Sequence, residues 1–126
     1  MKILIDTHLL LWAAADTLPK KALLYFNKEE NELLFSSASI WEVIIKKSLN
    51  RDDFQIDPVA LYRGLLDNGY TELAITSRHA LLITDLPQIH KDPFDRILIA
   101  QAKVEGLSLL TSDKSIAQYS PTILID

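Results

Sequence analysis

The sequence predicts an α/β fold: a mostly parallel, roughly five-stranded sheet with helices on both faces. Three observations carry this. Five short apolar runs alternate with longer segments of helical period. The runs are nearly continuous in Ile, Leu, Phe or Val, as strands are when both of their faces are covered. Strands alternating with helices are the pattern of a parallel sheet joined by crossover helices.

The elements follow in order. The first strand is predicted at Lys2 to Ile5, with a brief helix after Asp6. A helix over Pro19 to Asn31 opens on a proline suited to a first turn and places Leu23 and Phe26 on one face. The second strand is Leu33 to Phe35. A helix over Ser39 to Leu49 carries Ile40, Val43, Ile44 and Ile45, with Lys46 and Lys47 near its end, where cations suit the helix dipole. Pro58 to Asn68 follows Asp57 and stops at Gly69. The third strand is Leu73 to Ile75, and a shorter helix over Ser77 to Thr84 ends before Pro87. Pro93 to Glu105 opens on Asp-Pro and closes at Gly106. Strand four is Ser108 to Leu110. Lys114 to Tyr119 makes one or two helical turns, and Thr122 to Ile125 is the last strand.

The length of 126 residues suits one domain, 1–126. With 48% apolar and 24% charged residues, a core is expected and disorder is not. Zero cysteines exclude a disulfide scaffold, a zinc ribbon, a thiol nucleophile and a CxxC redox motif. The run from Ile3 to Ala15 is broken by Asp6 and His8, and no small-residue cleavage site follows a basic start. No apolar stretch approaches the ~20 residues of a membrane span. A cytoplasmic protein without membrane association is expected.

In parallel sheets ligands gather beyond the carboxyl ends of the strands, so the residues there matter most. Asp6 directly follows the first strand. Glu42 lies in the helix after the second, within Ser-Ser-Ala-Ser-Ile-Trp-Glu. Asp113 follows the fourth, in Leu-Leu-Thr-Ser-Asp. Asp92 and Asp95 start the helix that feeds that strand. Singly, each reads equally well as a helix cap: Ser39 and Glu42 match a Ser-x-x-Glu capping box, and Asp92-Pro93 is a cap and first-turn pair. Asp57-Pro58 is an internal control, with Ala60 where Asp95 stands in the other helix start. Jointly, clustered carboxylates raise each other's pKa and cost stability unless a cation lies between them. Oxygen ligands without cysteine suit Mg²⁺ or Mn²⁺. Such ions serve phosphodiester cleavage by a water.

These segments resemble the motifs of PIN-domain ribonucleases, in particular the VapC-like toxins of type II toxin–antitoxin systems. Ile-Leu-Ile-Asp-Thr-His-Leu-Leu-Leu-Trp (3 to 12) is similar to their opening, and Ser-Ala-Ser-Ile-Trp-Glu-Val (37 to 43) to their second motif. His-Lys-Asp-Pro-Phe-Asp-Arg-Ile-Leu-Ile-Ala-Gln-Ala (90 to 102) is similar to the third, and Leu-Leu-Thr-Ser-Asp (109 to 113) to the fourth. The order and spacing agree over essentially the whole chain. The resemblance implies a three-layer α/β/α sandwich and an Mg²⁺- or Mn²⁺-dependent endoribonuclease. It also implies an antitoxin partner that blocks the site, and a homodimer. The family's acids match Asp6, Glu42, Asp95 and Asp113. Many members carry the third acid one residue nearer the Leu-Ile-Ala run, which keeps Asp92 in play.

On this reading Asp6, Asp95 and Asp113 bind the metal, with Glu42 and Asp92 as further candidate ligands. Glu42 holds the attacking water and serves as base. Thr7 and Ser112 either orient the carboxylates or make local turn bonds. Ser39 caps its helix and fixes Glu42. Arg96 pairs with a site carboxylate or meets phosphate. His8 and His90 are candidate metal ligands or acid–base groups, but neither sits in an i, i+4 pair, so a hydrogen-bonded structural role is expected for both, and for His79 no other role. Lys46 is expected to be solvated, and Trp12 and Trp41 to pack in a core or interface. Two alternatives are a PIN-like module that binds RNA or protein without cutting, and a haloacid-dehalogenase-like phosphatase. The latter needs a second Asp where His8 stands. The net charge of −4, from 17 acids and 13 bases, argues at first against nucleic acid. Assigning four acids to one metal site leaves 13 of each sign, so an RNA substrate is not excluded.

Overall fold

The first strand, β1 (Lys2–Ile5), runs straight into a helix, α1 (Thr7–Ala14), because Asp6 caps that helix from extended backbone. A computed structural model describes residues 1–49 and 56–125. After α1 come α2 (Lys20–Phe26), β2 (Glu32–Ser36), α3 (Ser37–Ser48), α4 (Pro58–Asp67), β3 (Thr71–Leu73) and α5 (Ser77–Leu82). The chain ends with α6 (Pro93–Glu105), β4 (Ser108–Thr111) and β5 (Thr122–Leu124), with single 3₁₀ turns at Ile83–Asp85 and Ile116–Gln118. All four strand pairings are parallel, in the order β3-β2-β1-β4-β5. The α/β class expected from the sequence is the class observed.

The apolar strands bury both faces. Ile3 and Ile5 of β1 pack with α1 residues Leu9 and Leu10, with Val43 of α3 and with Leu61 and Leu65 of α4. Leu4, pointing the other way, packs with Leu98, Ile99 and Ala102 of α6 and with Leu109. The sheet is therefore the middle layer between two helical layers. Helix starts follow the chemistry of their caps. Asp57 accepts from Val59 N before Pro58, and Asp92 accepts from Phe94 N before Pro93. Gly106 closes α6 at φ +68°, a backbone conformation that L side chains rarely adopt.

Several boundaries differ from expectation. The third strand lies two residues earlier, at Thr71–Leu73, because it pairs with Leu34–Ser36 and β2 ends there. It is an edge strand with two exposed residues, so hydrophobicity did not mark it. The helix expected to reach Asn31 stops at Phe26, and Asn31 instead donates its side-chain amide to Tyr25 O at 2.9 Å. Ser39 caps nothing. Ser36 Oγ accepts from Ala38 N, so α3 begins earlier, and the Ser39–Glu42 capping box is not formed. The segment from Lys114 shrinks to the 3₁₀ turn at Ile116–Gln118.

Leu98 is fully buried between the sheet and α6's neighbours. Leu98→Ala should cost about 2–5 kcal/mol, by lost burial plus the cavity left behind, read as a shift in urea midpoint at unchanged slope.

Candidate metal centre at the switch point of the sheet

Connections leave β1 towards β2 on one side, while β4 is added on the other. The crevice outside the carboxyl ends of β1 and β4 is therefore the switch point at which open parallel sheets bind ligands. The β1–β4 register matches Ile5 with Leu110. Asp6 and Asp113 thus emerge at the same edge.

Asp6 is buried and fully engaged. Its Oδ1 accepts from Leu9 N at 2.9 Å and its Oδ2 accepts from Thr111 Oγ1 at 2.5 Å. Thr111 Oγ1 in turn accepts from Asp113 N at 3.0 Å, so one hydroxyl ties the two acidic strand ends together. Asp113 Oδ1 accepts from Ser115 N at 2.7 Å. Burial, the largest cause, raises the Asp6 pKa; its hydrogen bonds to Thr111 and Leu9 and the charge of His8 oppose this, while Asp113 adds to it.

Two helices bring further acids. Glu42 of α3 is buried, with Oε2 on Lys46 Nζ at 3.0 Å. Its Oε1 has no hydrogen-bond partner among the described residues. Asp95 of α6 accepts from His90 Nε2, or donates to it, at 2.6 Å. Its carboxyl pKa is pushed up to about 6. Burial is the largest cause; the His90 hydrogen bond opposes it, and the charges of Asp92 and Glu42 add to it. His90, Asp95 and Asp113 each offer a ligand atom, all within 4.8 Å of one another.

The expected residues are thus brought together unevenly. Asp95 and Asp113 stand in the convergent group, and Glu42 faces Asp95 closely enough to raise its proton affinity. Asp6 stands behind, its oxygens taken by Leu9 and Thr111. Asp92 Oδ1 is occupied by Phe94 N and Asp95 N as a helix cap.

Several supporting residues differ from expectation. Arg96 is buried and meets neither phosphate nor a carboxylate. It donates to the carbonyls of Ile83, Pro87 and His90 and to Tyr119 Oη, all at 3.1–3.3 Å. Thr7 Oγ1 bonds Ser39 Oγ at 2.9 Å, joining α1 to α3 rather than orienting a carboxylate. Among the described residues Ser112 has no side-chain partner; its neighbour Thr111 holds Asp6. Lys46 is paired with Glu42 rather than solvated. His8 is exposed and acts on Asp6 only through its charge. Trp41 is 59% exposed, edge-on to Phe94 at 5.2 Å, rather than packed in a core. His79, by contrast, is structural: its Nδ1 accepts from Thr76 N and its Nε2 meets Glu105.

The sequence reading missed Thr111 and Tyr119, and it favoured a structural role for His90, whose Nε2 lies within 4.8 Å of ligand atoms of Asp95 and Asp113. Thr111 stood in the quoted Leu-Leu-Thr-Ser-Asp segment, and its signal is a polar residue ending an apolar strand. Tyr119 Oη accepts from Ile89 N and His90 N and donates to Pro87 O. That role depends on a chain separation of about thirty residues, which no local pattern reports.

The donor set fits a divalent cation. Three ligand groups converge, a buried Glu42 oxygen has no hydrogen-bond partner among the described residues, and burial raises the proton affinity of Asp6 and Asp95. The sign of the pH effect follows. A carboxyl whose folded pKa is raised contributes stability at low pH, and this is lost as pH rises through the folded value. The metal-free protein should therefore lose melting temperature as pH rises from about 4 through about 6, and Asp95→Asn should flatten that slope. Added Mn²⁺ should restore the loss in the unsubstituted protein, as read by calorimetry with and without chelator.

Residues 3–120 match the PIN domain family. No curated protein matches the sequence. Among solved structures, the chain is similar to VapBC2 from Rickettsia felis bound to a DNA fragment from their promoter. That match has a TM-score of 0.73 at 15% identity and covers 99% of this chain and 98% of that one. It is also similar to DNA-bound VapBC from Salmonella typhimurium, with a TM-score of 0.69 at 17% identity, covering 100% and 97%. FitAcB from Neisseria gonorrhoeae gives a TM-score of 0.62 at 13% identity, covering 98% and 96%. At these identities the structures speak for the fold, while the family match spans nearly the whole sequence. The five-stranded parallel sheet, the acids at its switch point and that match together show that the chain belongs to the PIN-domain family.

Proposed function

We propose that this protein is a divalent-metal-dependent endoribonuclease and the toxin of a toxin–antitoxin pair. The observation that carries the reading is the convergence of Asp95 and Asp113, with Glu42 and Asp6 beside them, at the switch point of a PIN fold. Asp95 and Asp113 would hold the cation, Mg²⁺ or Mn²⁺. Asp6 would act from behind them, held in place by Thr111. When bound, the cation lowers the pKa of a water and offsets phosphate charge. Glu42 Oε1 is the acceptor for the proton of the attacking water: it is buried and has no hydrogen-bond partner among the described residues. Lys46 Nζ pairs with the other oxygen, Oε2, at 3.0 Å. Trp41, 59% exposed, stands edge-on to Phe94 at 5.2 Å, and the two directly precede Glu42 and Asp95 in the chain.

The antitoxin partner rests on the sequence resemblance and on the solved complexes whose fold this chain shares, which are named VapBC and FitAcB. A homodimer and a cytoplasmic location belong to the same reading. Among the described residues no helix is long and apolar enough to cross a membrane.

Purified protein should cleave RNA internally with Mg²⁺ or Mn²⁺ and stop on adding chelator. Asp113→Ala and Asp95→Asn should each lower the rate by at least about 100-fold while keeping the circular dichroism spectrum of the parent. An Asp113→Ala protein as active as the parent would overturn the scheme. Loss of cleavage by the parent protein, with RNA binding retained, would favour a non-catalytic binding module.

A further inference from the structure

We propose that His90 is itself a metal ligand, making this a mixed imidazole–carboxylate centre that prefers Mn²⁺ to Mg²⁺. The inference rests on the divalent-metal reading above and goes beyond its acids. His90 lies on the connection before α6, outside every helix and strand, where side chains are ordinarily least constrained. Here the backbone around it is held from two sides. Tyr119 Oη, in a residue only 4% exposed, accepts from both Ile89 N at 3.1 Å and His90 N at 2.9 Å. Arg96 Nη1 donates to His90 O and to Pro87 O, each at 3.1 Å. A buried tyrosine and a buried arginine thus fix a single loop residue, as the shell behind a ligand does.

The imidazole is aimed at the acids. Its Nε2 lies 2.6 Å from Asp95 Oδ2, and it shares the 4.8 Å group with Asp113. Neighbouring ligands of an octahedral cation at about 2.1 Å are roughly 3 Å apart, so the pair need open by only a few tenths of an ångström to take one. A cation held there would displace the proton of the Nε2–Oδ2 hydrogen bond to solvent. The second, independent sign of a cation is Glu42 Oε1, buried without a hydrogen-bond partner among the described residues, on α3 where Trp41 meets Phe94 of α6 at 5.2 Å. Imidazole binds first-row transition ions better than Mg²⁺, which takes oxygen ligands and keeps its waters. The nitrogen ligand is what tilts the centre towards Mn²⁺.

The test uses Mn²⁺ alone on the full chain. Electron spin echo modulation should show a nitrogen bonded directly to Mn²⁺. Labelling with ¹⁵N-histidine should change the modulation, His90→Ala should abolish it, and His8→Ala should leave it in place. Titration should show Mn²⁺ binding weakened by about tenfold or more in His90→Ala, with Mg²⁺ binding, measured by competition, changed far less. The modulation on the unsubstituted protein needs no variant, so a His90→Ala protein that fails to fold does not block the test. Bound Mn²⁺ without nitrogen coupling would overturn the proposal and leave the acid-based centre standing; His90 would then only orient Asp95. Absence of any Mn²⁺ or Mg²⁺ binding would overturn both.

Discussion

The side-by-side pairing of β1 and β4 is the constraint on which the site depends. It brings together acids that are more than a hundred residues apart in the chain, and it does so by backbone hydrogen bonds in the middle of the sheet. Thr111 then converts strand pairing into side-chain placement. Its hydroxyl donates to Asp6 and accepts from the Asp113 amide, so the carboxylate after one strand and the backbone after the other move as a unit. Because both strands are buried on both faces, this geometry is as rigid as the core itself.

The same edge is electrostatically expensive. Asp6, Glu42, Asp95 and Asp113 are drawn into low-dielectric surroundings, and two of them respond by holding protons more tightly. Lys46 relieves part of this at Glu42. The opposite strategy appears two turns of chain away, where Arg96 and Tyr119 satisfy the carbonyls and amides of the connection before α6. There the buried polar atoms are paired with one another, and the result is a fixed loop that carries His90.

Local rules were legible where local physics decides. Asp57 and Asp92 cap their helices before proline as their spacing indicates, and α6 runs from Pro93 to Glu105 between a cap and a left-handed glycine. β1 was readable residue for residue, since a central strand buried on both faces must be continuously apolar. The edge strand β3 was not, because an exposed edge imposes no such composition. Ser39 misled for a related reason: three serines within four residues offer three equally good caps, and the choice of Ser36 is made by where β2 stops pairing.

The sequence by itself determined the fold class, the oxygen-rich chemistry and the four acids that face one edge, since strand–helix alternation and the residue after each strand are local facts. Only the tertiary structure decided how those acids divide the work. Asp6 has both oxygens engaged, Glu42 keeps one oxygen without a hydrogen-bond partner, and Asp95 and Asp113 share their group with His90. It also decided that Arg96 holds a loop instead of a phosphate, and that Trp41 faces solvent. The physical reason is the same in each case. A side chain's role is set by which donors, acceptors and charges lie within a few ångströms, and in a parallel sheet those neighbours come from strands and helices far apart in the chain.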